Sequence, residues 1–396
     1  MLDLIRTLRE LVAIRSVNPL GRPVSEADAA ESPLTDYLEA LFQRLGMECM
    51  RQCVEPGRDN LLARIGPTQA SDLPKAVILL SAHQDTVPAT GMTISPWSGE
   101  LRDGRVFGRG ACDVKGGMAA MLAALARLHA ERPPGMPTVV MACTVNEEMG
   151  FTGSQALVRL WQGEPQAILP RPPDYAVVAE PTELQVVVAH KGVVRWRCHA
   201  RGRAAHSATP EAGENAIYRM GRALGAIERY AQTVVSTLGF HPLCGPATVN
   251  VGTISGGVSA NTVPDQCTIE IDRRLAPGEQ PPMARQHLID YLERQAGLDF
   301  PLQHDPPFMI GLPLADQYNR SLAERLVAVA SELVEPCRSI GVPYATDAAF
   351  LAAAGVPSVV FGPGSVAQAH TADEWIAVDQ VEKAAAIYYR FLKSFC

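Results

Sequence analysis

Apolar, strand-like runs spread over this chain end on residues able to bind a metal ion, and that arrangement restricts the folds open to it. The run beginning at Lys75 stops at His83, with Asp85 two residues on, in SAHQDTVPA. Asp113 sits in GRGACDVKGG, Glu147 and Glu148 in TVNEEMG, Glu180 in VVAEPTE and His370 in GPGSVAQAHTADE. A sheet built from such strands carries these polar side chains beyond strand ends, where sites in open α/β sheets lie. One such His or Asp is more often structural, so it is the joint occurrence that carries weight.

Helical periodicity covers residues 2–14 and 34–45, where Leu34, Tyr37, Leu38, Leu41 and Leu45 share a face. A third helical stretch, 115–129, follows Asp113 directly, and strand-like runs cover 75–82, 138–145 and 174–179. The alternation predicts an α/β sheet covered on both faces. From Gly192 the pattern changes. Residues 192–202 alternate apolar and polar, as a half-exposed strand does, and are expected to offer a pairing edge. A helix near 215–230, strands near 247–255 and 266–274, and a helix near 283–295 follow. This order predicts an inserted α+β domain with an antiparallel sheet over 192–305. The Pro-rich stretch 300–308 reads as the return linker. A helix near 319–334, a strand at 358–361 and a closing helix at 380–395 then complete a discontinuous outer domain, 1–191 with 306–396.

Hydrophobic residues make up 47% and charged residues 19%, which fits a soluble globular enzyme. A net charge of −7 gives no reason to expect nucleic acid or an anionic membrane as partner. No apolar stretch approaches a membrane span, and the first residues read as an amphipathic helix and not as a signal peptide. The nine cysteines are dispersed and never form CxxC, which points to reduced thiols in a cytoplasm.

Two histidines, a central aspartate and three glutamates are the set a two-metal hydrolytic site needs. Imidazole and carboxylate suit zinc, one carboxylate can bridge two ions, and a spare one can act as base. Cys112, beside Asp113, reads as a small buried filler. Asp373 and Glu374 read as a cap on the next segment, with no part in metal binding.

HxD at 83–85, GRGxxDxKGG at 108–117, EE at 147–148, AEPT at 179–182 and AHTADE at 369–374 together resemble the dinuclear zinc amidohydrolase family. That family includes acetylornithine deacetylase, succinyl-diaminopimelate desuccinylase, aminoacylase and the glutamate carboxypeptidases. The likeness runs from end to end. It implies a zinc-peptidase-like catalytic domain with a mixed, mostly parallel sheet between helices, and an inserted lid and dimerisation domain. It implies two zinc ions per chain, with cobalt or manganese as substitutes. Asp113 would bridge them, His83 and Glu180 would complete one ion, and Glu148 and His370 the other. A water shared by the ions would ionise near neutral pH, with Glu147 placed to take its proton. Which of Glu147 and Glu148 ligates and which is the base rests on the resemblance alone. Asp85 would hold the His83 ring in the right tautomer.

Residues 202–217 resemble the family's GxxxHSxxPxxGxNAI segment, in which the counterpart of His206 reaches the partner subunit's active site and polarises the scissile carbonyl. Asn261, in a Gly-rich loop, is a candidate for holding a substrate carboxylate or oxyanion. Arg274, in a D-x-R spacing with Asp272, is a candidate for the substrate carboxylate, with a plain ion pair as the other reading. The expected substrate is a small N-acyl amino acid, with acetylornithine deacetylase-like members the nearest in wording. A carboxypeptidase or dipeptidase of the same family is the first alternative, and a non-catalytic metal-binding interaction protein the second.

Overall fold

Strands Val77–His83 and Thr138–Thr144 have every residue buried. Successive side chains of a strand point to opposite faces, so both faces of the sheet are covered there. These strands belong to the computed structural model of the chain, which describes residues 2–20, 30–67, 76–163, 167–169 and 171–396. Lys75, where the first run was expected to begin, lies outside the described residues.

The chain forms two compact units. The first comprises Met1–Val188, Asp316–Ile340 and Thr346–Cys396. Its main sheet is mixed. Thr138–Thr144, Val77–His83, Tyr175–Val178 and Ser358–Val360 are neighbours in that order and all parallel. An antiparallel hairpin, Glu48–Glu55 with Arg58–Ile65, extends one side of this block. It turns at Pro56–Gly57, where Gly57 takes the left-handed φ of 75° that a side chain resists. Helices Gly116–Glu131 and Val378–Lys393 pack against each other, and Leu4–Ala13 packs on the former. Because the four parallel strands run the same way, their carboxyl ends reach one edge together. That edge carries the polar residues.

The second unit comprises Ala189–Ala315 and Gly341–Ala345. Its antiparallel sheet is ordered Thr248–Gly256, Gln266–Leu275, Gly192–Arg201, Leu302–His304. Helices Ala216–Thr233 and Pro281–Arg294 cover one face. Alternate residues Val194, Trp196, Cys198 and Ala200 meet Cys267, Ile269 and Ile271 in its core, with Met220 and Ile227 of the first helix and Leu288 of the second. Asn215 caps the first helix, its side chain accepting from the Tyr218 amide at 3.1 Å.

Two expectations are corrected here. The Pro-rich stretch 300–308 is not a bare linker, since Leu302–His304 pairs with Cys198–Ala200. Residues 192–202 do not offer a free edge. Gly192–Arg201 is flanked by Gln266–Leu275 on one side and by Leu302–His304 and Met309–Gly311 on the other. Alternation reports that a strand has one wet face, not that it lacks a neighbour. The outer strand on the other side is Thr248–Gly256, with Ile254 more than half exposed.

Trp196 is fully buried at the centre of the second unit, and its indole N–H donates to His304 Nδ1 at 3.1 Å. Trp196→Ala is expected to destabilise this unit by about 3–5 kcal/mol, through lost burial and an unfilled cavity. Urea unfolding followed by circular dichroism checks this, and an unchanged midpoint would contradict it.

Candidate metal centre

Three adjacent parallel strands deliver most of the site. His83 is the last residue of its strand, Glu147 and Glu148 lie just beyond Thr144, and Glu180 lies two residues beyond Val178. Asp113 comes from the tight turn before helix Gly116–Glu131, and His370 from the segment between strands Ser358–Val360 and Trp375–Ala377.

Five of these side chains meet as two donor groups that share one residue. His83, Asp113 and Glu180 offer ligand atoms within 4.8 Å of one another, and so do Asp113, Glu148 and His370. Asp113 turns one carboxylate oxygen to each histidine, Oδ1 to His83 Nε2 at 3.0 Å and Oδ2 to His370 Nε2 at 3.3 Å. Glu180 lies 3.9 Å from His83 Nε2, and Glu148 3.2 Å from His370 Nε2. Glu147 is buried close by but belongs to neither group. The geometry thus treats the adjacent glutamates differently, a distinction that spacing alone does not supply.

The loops are held from behind. Asp85, fully buried, accepts the amides of Glu147 (3.1 Å) and Glu148 (3.1 Å) and the Asn18 carboxamide (2.7 Å). The His83 ring meets Asp85 by a different atom from the one expected. Its Nδ1 donates to the Asp85 main-chain carbonyl at 2.8 Å, while the carboxylate stands 3.6 Å away. A carbonyl only accepts, so Nδ1 carries a proton and Nε2 is the ring atom that faces the donor group, 3.0 Å from Asp113 Oδ1. Residues 14–18 brace the same loops: Lys115 Nζ donates to the Ile14 carbonyl (2.7 Å), and Asn18 also donates to the Asn146 side chain (2.9 Å). Glu374, read from sequence as a cap, is fully buried and accepts from the Asp113 loop. Asn18 carries no sequence signal beyond its place in a turn-like segment, and Glu374 only its place at the end of AHTADE, which does not show what it binds.

The electrostatics call for added positive charge. Burial, then the Asp113 carboxylate, pushes Glu180 well above the usual carboxyl range, and burial with Glu180 does the same to Glu147. Burial also opposes ionisation of Asp113, but His370 and His83 outweigh it and hold its carboxyl low. His370, bonded to Asp113 and Glu148, is pushed up to about 10. Three carboxylates and two imidazoles, hard and borderline donors sharing one aspartate, fit two divalent cations.

In the second unit, His206 pairs with Thr262, next to Asn261, and the Ser207 amide donates to the Asn261 carbonyl at 3.0 Å. His206 Nδ1 accepts from the Ala208 amide at 3.1 Å, so a neutral ring carries its proton on Nε2. Asn261 Oδ1 accepts from the Ser259 hydroxyl at 2.8 Å. Arg274 is bidentate to Asp272 at 2.8 and 3.2 Å, and Asp272 also binds Arg195 at 2.7 Å. The described contacts of Arg274 are therefore those of an ion pair.

Donor groups of this kind, at the carboxyl ends of a mixed α/β sheet, define a metal-dependent hydrolase of amide bonds. The chain belongs to peptidase family M20/M25/M40, whose family model matches residues 79–394. The acetylornithine deacetylase of Myxococcus xanthus is 33% identical over 407 residues, 98% of this chain and 97% of that protein. A tripeptidase from Staphylococcus aureus shares the fold, with a TM-score of 0.77 at 22% identity over 99% of this chain and 97% of that one. A dinuclear metal-binding M20 peptidase from Bacillus subtilis does so with a TM-score of 0.66 at 16% identity, over 98% and 96%.

Asp85→Asn keeps the shape but turns an NH2 towards groups that themselves donate. Metal affinity or turnover is expected to fall about 10–100-fold, the usual cost of an outer-shell change. Metal titration with steady-state kinetics measures it, and a parent-like protein removes Asp85 from this role.

Proposed function

We propose that this chain is a dinuclear zinc deacylase that hydrolyses the amide bond of a small N-acyl amino acid, as acetylornithine deacetylases do. The observation that carries the reading is Asp113, whose two oxygens each reach the histidine of a different donor group. The Myxococcus xanthus relative supports the substrate class, since the similarity runs the length of both proteins.

His83 and Glu180 would hold one ion, Glu148 and His370 the other, and Asp113 would serve both. The two cations, when bound, supply Lewis acidity to the scissile carbonyl and to the attacking water. Glu147 takes a proton from that water as its oxygen bonds to the carbonyl carbon. It returns the proton to the departing nitrogen as the C–N bond breaks, leaving a carboxylic acid and an amine. Glu147 is buried beside both donor groups and belongs to neither, a placement that suits that double duty. His206, through its protonated Nε2, donates to the oxyanion, and Asn261 assists it. Arg274 reads the substrate carboxylate. Two guanidiniums share the single Asp272 carboxylate, which leaves positive charge to spare.

The protein acts as a homodimer through the second unit, and family resemblance sends His206 to the partner's site. The exposed outer strand Thr248–Gly256 supports pairing across a two-fold axis. Cys112, Cys143, Cys198 and Cys267 are buried as thiols, which supports a cytoplasmic setting.

A hydrolysis panel of N-acetyl, N-succinyl, N-formyl and glutamyl amino acids on the zinc-loaded protein tests the substrate class. Preference for the peptide-like members would favour the dipeptidase alternative. Glu147→Gln is expected to keep both metals and the Michaelis constant while turnover falls at least about 10²–10⁴-fold. Loss of one zinc from that variant would make Glu147 a ligand.

His206→Ala is expected to lower turnover about 10²–10³-fold, the scale for one lost oxyanion donor. Mixing it with Glu147→Gln gives heterodimers in which one site has both residues intact only if His206 acts in trans. Recovered activity supports the shared site. No recovery, with heterodimers shown to form, rejects it.

A further inference from the structure

Glu374 lies four residues beyond His370, belongs to neither donor group, and is fully buried. Both of its carboxylate oxygens accept from the segment that ends on Asp113. Oε2 takes Arg109 Nη1 at 2.6 Å and the Gly110 amide at 3.0 Å. Oε1 takes the amides of Cys112 at 2.9 Å and Asp113 at 3.1 Å. The Glu374 main-chain carbonyl accepts the Gly108 amide at 3.0 Å, and the next residue, Trp375, pairs with Phe107.

Three amide donors of one turn, those of Gly110, Cys112 and Asp113, converge on one carboxylate, as in the concavities that backbones use to bind phosphate or carboxylate ligands. Here the anion is the protein's own. Gly110 makes the convergence possible with a left-handed φ of 82°, and a Cβ there would lie 2.7 Å from Thr86 Cγ2. The Asp113 main chain is thereby tied to the segment that also carries His370.

We infer that Glu374 is a positioning residue of the metal centre, fixing the Asp113 turn so that one carboxylate oxygen faces each histidine. The inference rests on the reading of Asp113 as the shared ligand. A neutral substitute leaves a guanidinium and several amides competing for one acceptor, and the turn rotates to find others.

The test uses full-length Glu374→Gln, which has the same shape but presents an NH2 to groups that donate. The metal-free protein is titrated with Co²⁺ while its visible spectrum is followed, and kcat and KM are measured on the best substrate of the panel. The expected result is Co²⁺ binding weaker by about 10–100-fold with an altered spectrum, and kcat lower by a similar factor. KM is expected to stay within about twofold, because the change acts on the metals and not on substrate contacts. A merely structural role would lower the melting temperature and leave affinity and spectrum alone, and that result overturns the inference. If the Gln form does not fold, Glu374→Asp keeps the charge but withdraws it by one methylene. The same loss of affinity is expected there, and parent-like binding again overturns the inference. Asp113→Ala, run in parallel, separates the two readings. If it retains both ions, the shared-ligand assignment fails. If it loses them while the Glu374 variants bind normally, only the role of Glu374 fails.

Discussion

Burying many carboxylates in one place is the constraint on which the rest of this molecule depends. Asp85, Glu147, Glu180 and Glu374 are each less than a tenth exposed, and an ionised carboxylate away from water must find donors or cations. The fold sorts them by partner. Asp85 and Glu374 are satisfied by main-chain amides, and Glu31 by Arg58 in a buried ion pair. Asp113, Glu148 and Glu180 face two imidazoles and one another, a donor set that fits metal ions. The centre is thus defined as much by where amide donors stop as by where ligands begin.

Parallel strand direction makes that concentration possible. Thr138–Thr144 and Val77–His83 pair in register, with His83 opposite Thr144, so a histidine and a following glutamate pair leave the sheet side by side. Antiparallel neighbours would have sent these ends to opposite rims. Complete burial of both strands then leaves the rim as the one place where charged side chains can emerge.

How much of this could be read from sequence follows from where each interaction is encoded. The parallel strands were legible because seven buried residues in a row make a continuous apolar run, and a charged residue just after it must sit at the rim. The hairpin Glu48–Glu55 with Arg58–Ile65 was not, because its first strand has no buried residue and scatters Glu48, Arg51 and Glu55 among Cys, Met and Val, with no continuous apolar run. The neighbours of Gly192–Arg201 were hidden because alternation records faces, while sheet order depends on distant segments such as Leu302–His304. Glu374 was hidden for a deeper reason. Its partners are mostly amides, which every residue but proline carries, so no side-chain pattern announces them. The candidate donors were legible by type, whereas the different placement of Glu147 and Glu148, one inside a donor group and one outside, needed geometry.

The centre cannot by itself choose among substrates, since an N-acetyl amide and a peptide bond present the same carbonyl and nitrogen to it. Choice falls to groups that contact the flanks of the bond, and those groups differ in power. An acyl pocket larger or smaller by one methylene discriminates by about 1–3 kcal/mol, whereas an unpaired polar group discriminates far more strongly. If Arg274 with Arg195 reads a carboxylate, loss of that carboxylate costs more than any change of acyl length. Selection is then strict on the amino-acid side and loose on the acyl side. Deacylase and peptidase activities become near neighbours on one scaffold, separated by the shape of one pocket and not by the metal chemistry.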